Sequence, residues 1–571
     1  MSVHDPRAWE RPAPRAAAAY GVRRLLPSWR WLAEAIWWVE HAFGRARADA
    51  RPDEDTRVRI FVILTAFSVV FCCLALGAAR AALLTPQGVV GSAANPNAVA
   101  RADLVDRNGA LMATNVNHYN LYVDPAQVWD LDLAERSIRR ALPRVPADRL
   151  REVLHGRRRG LVLQGLNPKE KGAIHALALG GVDFEAIDRR IYPLTPSARH
   201  VLGRADTAGS GISGAELAFN DEIRAAGARG ESFPLSIDLR IQGVLENELF
   251  AAAEAVQAKG AVGVVADATT GEVLGMASWP TSDSKNLATT GNYEMGSVFK
   301  TFTIAASLDT GRVDMNSMFD ASAPYKIGNR TIRDFHATNQ ILSLEGVYLH
   351  SSNIGTSRMA VELGPDVMRD YFNRLGLLDR APIELHESVP PRRPANWQDS
   401  TRASLSFGYA IMISPLQMTA ATVALVNGGL YRPLSLRRGG TGAEGRRVVS
   451  PETSRNIREL MRANVLRGSG QRANVQGLRV GGKTGSANKL VNGRYDARHG
   501  VGSFASVFPV DGPDTTRRYV VYVLIDEPAI GSQLGGAVAV PVTGRVIDRI
   551  SGFLGVGRVQ DPVPPLMAAA R

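Results

Sequence analysis

The chain of 571 residues carries 67 Lys+Arg against 55 Asp+Glu, a net charge of +12, with 45% hydrophobic and 21% charged residues. This balance excludes a disordered or fibrous chain and leaves room for roughly two to four domains with a large core. The positive surplus points to acidic partners: nucleic acid, a membrane surface or an anionic polymer. Only two cysteines are present, Cys72 and Cys73, side by side in the most apolar segment. They exclude a disulfide framework and a cysteine-built zinc or iron–sulfur site.

Residues 1–59 read as a head rich in Trp and Arg. Five of the eight tryptophans (Trp9, Trp29, Trp31, Trp37, Trp38) lie before residue 40, among Arg23, Arg24 and Arg30. Residues 28–43 have helical spacing with aromatic and aliphatic residues on one side. That suits a helix lying on a membrane or one docked on another membrane protein. Ile60 to Ala79 is a run of 20 residues without a charge, about 30 Å of helix, and predicts a transmembrane anchor over 60–80. A cleaved signal peptide would have an apolar run of about 7–15 residues near the N-terminus. Arg45, Arg47, Arg51, Arg57 and Arg59 precede the span, whereas Arg80 stands alone after it before Arg101. The head is therefore expected in the cytoplasm and everything after residue 80 outside it, which removes nucleic acid as the partner of the large domain.

Residues 81–100 are small, polar residues typical of a linker. A first exported domain is expected over 101–231, beginning with a hairpin turning at Asn108-Gly109 and continuing with helical spacing over 127–180. A second domain is expected over 232–556. Residues 237–257 read as a helix and 261–268 and 273–279 as a hairpin, followed by helical segments to about residue 430. Strands are expected over 478–486, 502–509 and 519–526, and a last helix over 538–553. Antiparallel strands drawn from both ends of a domain, with helices between, predict an α+β layered fold: an antiparallel sheet flanked by helices. The Pro- and Ala-rich tail, 557–571, reads as disordered.

Three short motifs lie in order within the second domain. Ser297-Val298-Phe299-Lys300 follows Gly296 and opens an apolar helical run. Residues i and i+3 share a helix face, so the hydroxyl and the amine can meet, and a desolvated lysine can deprotonate a serine. The N–H groups of a helix start also favour a developing oxyanion. Ser351-Ser352-Asn353 starts another helical segment, where a hydroxyl and a carboxamide can relay a proton and hold an amide. Lys483-Thr484-Gly485-Ser486 lies in a strand whose edge can pair an extended substrate. Taken singly, these are a helix start, a capping cluster and an edge strand blunted by lysine. Together and in order, they are the S-x-x-K, S-x-N and K-T-G set of penicillin-interacting serine enzymes. Lysine usage agrees with this. Only eight of the 67 basic residues are lysine, yet two of the eight fall in the motifs. Lysine can lose its proton in a protein and arginine cannot.

Further blocks carry a resemblance over residues 60 to about 555: RADLVDRNGALMAT (101–114), HVLGRADTAGSGISGAELAFN (200–220), LSIDLRIQ (235–242), SFGYAIMISPLQMTAA (406–421) and GGAVAVPV (535–542). The chain resembles a class B penicillin-binding protein, a bacterial peptidoglycan D,D-transpeptidase. Its short exported stretch before Ser297 is closest to the septal, FtsI-type branch. Met295 stands where the family has proline, and SFASVFPV (503–510) departs from the usual septal block.

The resemblance implies a pedestal (dimerisation-type) domain over 101–231 and a transpeptidase domain over 232–556. It implies Ser297 as nucleophile, Lys300 as base, and Ser351 and Asn353 as proton relay and substrate guides. Lys483, Thr484, Gly485 and Ser486 would bind the substrate or a β-lactam, with the N–H groups of Ser297 and Ser486 as oxyanion hole. No metal or diffusible cofactor is implied. Implied partners are lipid-linked stem pentapeptides, β-lactams, a membrane glycosyltransferase of the FtsW type and other division proteins. The implied location is the bacterial inner membrane with the catalytic domain periplasmic. The alternatives are an elongation-specific relative, a D,D-carboxypeptidase or β-lactamase, and a non-catalytic scaffold or sensor.

Overall fold

The computed structural model describes residues 41, 63–75, 101–282, 285–442 and 444–559, and the chain divides into two units, 1–92 and 93–571. In the first unit, residues 63–75 form a helix with exposed side chains, inside the span expected over 60–80. No helix among the described residues is long and apolar enough to cross a membrane. The rest of that span, the head apart from His41, the 81–100 linker and the tail beyond 559 lie outside the described residues.

The second unit begins with the expected hairpin. β1 (Leu104–Val105) and β2 (Leu111–Val123) pair antiparallel around Asn108-Gly109. Gly109 takes φ +89°, which side chains resist, and Asp106 Oδ1 accepts from the N–H groups of Asn108 and Ala110 at 2.8 Å each. Three helices follow in part: α1 (Leu131–Ala141), α2 (Ala147–Leu154) and α3 (Pro168–His175). Asp130 caps α1 by accepting from Leu133 N at 2.8 Å. The helical expectation over 127–180 is interrupted by β3 (Gly160–Leu166), which pairs with β2. A short apolar run such as GLVLQGL fits a strand as well as a buried helix turn, and the free edge of β2 decides. On its other edge β2 pairs with β4 (Val182–Ile191). Leu121, Ile138, Leu150 and Val162 fill the small core between this sheet and the helices.

A buried ionic knot closes this lobe. Glu216 accepts from Arg101 Nε at 2.7 Å and from Arg190 Nε at 2.8 Å, and its side chain is completely inaccessible. β5 (Phe233–Pro234) then runs parallel to β1 and leads into the larger lobe.

There, α4 (Leu239–Ala255) precedes the hairpin β6 (Ala258–Asp267) and β7 (Val273–Trp279), all close to expectation. The chain next builds the helices α5 (Lys300–Asp309), α6 (Leu344–Leu349), α7 (Asn353–Leu363), α8 (Pro415–Val426) and α9 (Pro451–Arg467). A two-stranded ladder joining 318–320 to 341–343, with a small hairpin (325–332) in its connection, interrupts them, which helical spacing did not anticipate. β8 (Gly481–Val491), β9 (Arg494–Phe508) and β10 (Tyr519–Pro528) then join the first hairpin. The resulting antiparallel sheet has the order β8-β9-β10-β6-β7. Alternate residues of β10 serve opposite cores, as the period of two requires. Val520, Tyr522 and Leu524 face a core shared with the fully buried α8; Val521, Val523 and Ile525 face one shared with α4 and α10 (Val540–Ile550). The α+β expectation holds, with β8 on the sheet edge.

Candidate active site

The three motifs converge where the start of α5 meets the edge strand β8. Residues 296–299 form a single 3-10 turn that runs directly into α5. Gly296 has φ +58°, and a Cβ there would lie 2.2 Å from the Ser486 carbonyl oxygen. Only glycine therefore lets the Ser297 turn lie against β8. Ahead of it, Met295 is buried and its sulfur accepts from the Tyr522 hydroxyl at 3.0 Å.

Lys300 points back along its own helix, so that its Nζ lies 2.9 Å from Ser297 Oγ. The same amine lies 2.5 Å from the Ser351 carbonyl oxygen and 3.0 Å from Ser351 Oγ. Lys483 Nζ reaches Ser351 Oγ from the other side, also at 3.0 Å. Ser351 Oγ thus bridges the two lysines. Both lysines are 0% exposed, and neither forms an ion pair among the described residues. Burial, reinforced by the Lys483 cation, holds the Lys300 amine well below the ordinary lysine range, while the Asp334 carboxylate opposes them. Burial alone brings Lys483 down to about 7. An uncharged Lys300 amine has two N–H groups and one lone pair. Its three neighbours fit that inventory: it donates to the carbonyl and hydroxyl of Ser351 and accepts from the hydroxyl of Ser297.

The two serines of the middle motif divide their tasks. Ser352 is the cap: its Oγ accepts from Gly355 N at 3.0 Å at the start of α7. Ser351 sits just ahead with φ +55°, an uncommon conformation for a residue with a side chain, and this turns its hydroxyl toward the lysines. Asn353 lines the cleft and donates from Nδ2 to the Arg333 carbonyl at 2.9 Å. Thr484 Oγ1 lies 2.6 Å from Ser469 Oγ, and Ser486 Oγ accepts from Gly535 N at 3.0 Å. Gly485 brings β8 against Met295 and Val298. All eight residues singled out by sequence therefore meet at one place, an open cleft of about 480 Å³ that includes Ser297, Ser351, Asn353, Thr484 and Ser486.

Sequence reasoning missed three supports. Asp334 accepts from Ser352 Oγ at 2.7 Å and Ile354 N at 2.9 Å, fixing the turn that carries Ser351. It belongs to no motif, and nothing in the sequence pairs it with residues 18 and 20 positions later. Ser469 holds Thr484 from a glycine-flanked loop. Asn464 donates to the Gly482 carbonyl at 2.8 Å, anchoring β8 to α9. Asn464 was legible in principle, as a polar residue on the apolar face made by Ile457, Leu460 and Met461.

Residues 261–548 match the penicillin binding protein transpeptidase domain, and residues 96–226 match the penicillin-binding protein dimerisation domain. A Caulobacter vibrioides protein named probable peptidoglycan D,D-transpeptidase FtsI is 49% identical over 93% of this chain and 94% of its own length. A Neisseria gonorrhoeae protein named probable peptidoglycan D,D-transpeptidase PenA is 32% identical over 90% of this chain and 95% of its own. Among solved structures, the apo transpeptidase domain of Burkholderia pseudomallei penicillin-binding protein 3 superposes with a TM-score of 0.53 at 32% identity. It covers 57% of this chain and 98% of that domain.

Proposed function

This chain belongs to the penicillin-binding protein transpeptidases, and on that premise we propose that it crosslinks peptidoglycan stem peptides through an acyl-enzyme on Ser297. The observation that carries this reading is the buried Lys300 amine, 2.9 Å from Ser297 Oγ and without an ion pair. A serine hydroxyl needs such a base to become a nucleophile.

Lys300 takes the Ser297 proton as Oγ attacks the carbonyl carbon of the penultimate D-alanine. The carbonyl oxygen, now negative, is received by the N–H groups of Ser297 and Ser486. Lys483, Thr484 and Gly485 hold the terminal carboxylate along the edge of β8, and Asn353 orients the peptide. The proton then passes from Lys300 through Ser351 to the departing nitrogen, and the C–N bond breaks. D-Alanine leaves and Ser297 carries an ester. An amine from a neighbouring stem attacks that ester, its proton returns along the same path, and the serine is freed as the new amide forms.

The reading extends to the whole chain. Residues 60–80 anchor the protein in the bacterial inner membrane as one helix, with the head of 1–59 cytoplasmic and everything after the 81–100 linker periplasmic. Residues 101–231 form the pedestal, 232–556 the transpeptidase domain, and 557–571 a tail. The FtsI name of the Caulobacter relative favours a role in septal synthesis during division. A membrane glycosyltransferase of the FtsW type and other division proteins are the partners that role requires. Labelling the full-length chain with a fluorescent penicillin tests the chemistry. Wild type should label covalently and Ser297→Ala should not; equal labelling of the two would remove Ser297 as nucleophile.

A further inference from the structure

The cleft has two ends. A donor peptide with its scissile carbonyl at Ser297 and Ser486 and its terminal carboxylate at Lys483 and Thr484 runs antiparallel to β8. Its upstream residues therefore point toward Asn488, and its leaving group points toward Ser469 and Arg467. A transpeptidase differs from a hydrolase in needing a second substrate. The incoming amine must occupy the position the departing amine has vacated, because both cross the same tetrahedral arrangement in opposite directions. The acceptor strand therefore approaches from the Arg467 end.

Beyond Arg467 lies a basin of about 510 Å³ along α9, and Arg467 lines both it and the active cleft. Arg455, Arg458, Arg462 and Arg479 complete its basic lining, against Glu345, Glu459 and Asp511. Arg467 pairs with Glu345 and Arg479 with Asp511. Arg462 donates to Asn474 Oδ1 at 3.0 Å and to the Val480 carbonyl at 2.9 Å. Arg458 is only 4% exposed; it donates to Asp514 at 3.0 Å and to the Val426 carbonyl, yet its Nε has no partner. Behind it, Arg518 is held by the carbonyls of Asp511, Gly512 and Pro513 rather than by a carboxylate, and its Nε is also unpartnered. Burial and the neighbouring Arg458 charge bring Arg518 down to about 10. Arg455 is exposed on the outer face of α9 and makes no ion pair among the described residues. A basin lined by five arginines against three carboxylates, opening onto the leaving-group end of the cleft, is a place for a carboxylate that arrives with the acceptor.

We infer that this arginine-lined basin is the acceptor subsite, binding a carboxylate of the incoming stem peptide remote from its reacting amine. The inference rests on the transpeptidase reading above. Its test uses the full-length chain with an activated acyl-D-alanyl ester as donor, and reads the ratio of aminolysis to hydrolysis of the acyl-enzyme. Two acceptor stem peptides are compared, one with its remote carboxylates free and one with them amidated. Wild type should favour the free acid by on the order of tenfold, the worth of one charge-assisted contact. Arg455→Glu should remove that preference, and Arg455→Lys should restore much of it. The amidation arm needs no substitution, so a folding defect cannot imitate it. Equal ratios for the two acceptors on wild type, with Ser297 still labelled by penicillin, would overturn the subsite and leave the transferase standing. Failure of Ser297 to label would bring down both.

Discussion

The knot around Glu216 and the lysine pair at Ser351 both bury cations almost entirely, and they do so in opposite ways. Around Glu216, two arginines meet one carboxylate at 2.7 and 2.8 Å, so both guanidiniums share a counter-charge and each makes further hydrogen bonds to carbonyl and amide oxygens. Around Ser351, two lysines meet hydroxyl and carbonyl oxygens and the Tyr348 ring, with no ion pair among the described residues. Arginine keeps its proton in a protein, so the knot can only be structure; an unpaired buried lysine lowers the cost of burial by losing its proton. The partner, more than the depth of burial, separates architecture from chemistry. Lys489 makes the same point from the far end of β8. It meets Asp526 at 2.7 Å and Glu527 at 2.6 Å, and these carboxylates hold its ammonium above the ordinary range against its burial.

Substitutions at the two sites should therefore diverge. Lys300→Met is expected to lower the rate of Ser297 acylation by a fluorescent penicillin by about 10²- to 10⁴-fold, the worth of a positioned base. The same change should leave the unfolding midpoint unaltered or raised, since an apolar side chain of similar volume replaces an uncompensated buried amine. A variant that lost both stability and acylation would break the comparison. Glu216→Gln should do the reverse. Removing the shared carboxylate strands two buried guanidiniums, and thermal or denaturant unfolding should register a loss of about 3–5 kcal/mol. A loss below about 1 kcal/mol would mean the knot holds nothing.

Asp334→Asn is the smaller and sharper change. The carboxylate raises Lys300, against burial and Lys483. Acylation needs the uncharged amine, so the rate climbs as pH rises through the Lys300 pKa. Without the Asp334 charge that limb should move to lower pH, while the maximal rate falls by less than about tenfold through a looser Ser351 turn. A limb that moved upward would reverse the sign assigned to Asp334.

Much of this was legible before any coordinates. The strands β6, β7 and β10 were readable because both faces are buried and the apolar runs are uninterrupted. Ser297, Lys300, Lys483 and Thr484 were readable because the spacing of three and the scarcity of lysine each carry chemistry. The division of labour between Ser351 and Ser352 was not. A capping role and a relay role suit either hydroxyl, and only the φ of +55° at Ser351 and the Asp334 contact at Ser352 separate them. The strand β3 and the short paired strands between 318 and 343 were also hidden, since segments of three to seven residues take their form from the neighbours they pair with. The arginine basin is assembled from α9, α6, the α9–β8 connection and the β9–β10 connection, and has no signature along the chain.

The most direct test is the pH dependence of Ser297 acylation in wild type and Lys483→Gln. Lys483 contributes a positive charge that lowers Lys300. Its removal should raise the Lys300 pKa and shift the rising limb of the acylation profile to higher pH, whatever happens to the maximal rate. A limb that stays in place, or moves to lower pH, would contradict Lys300 as a base tuned by its buried neighbour.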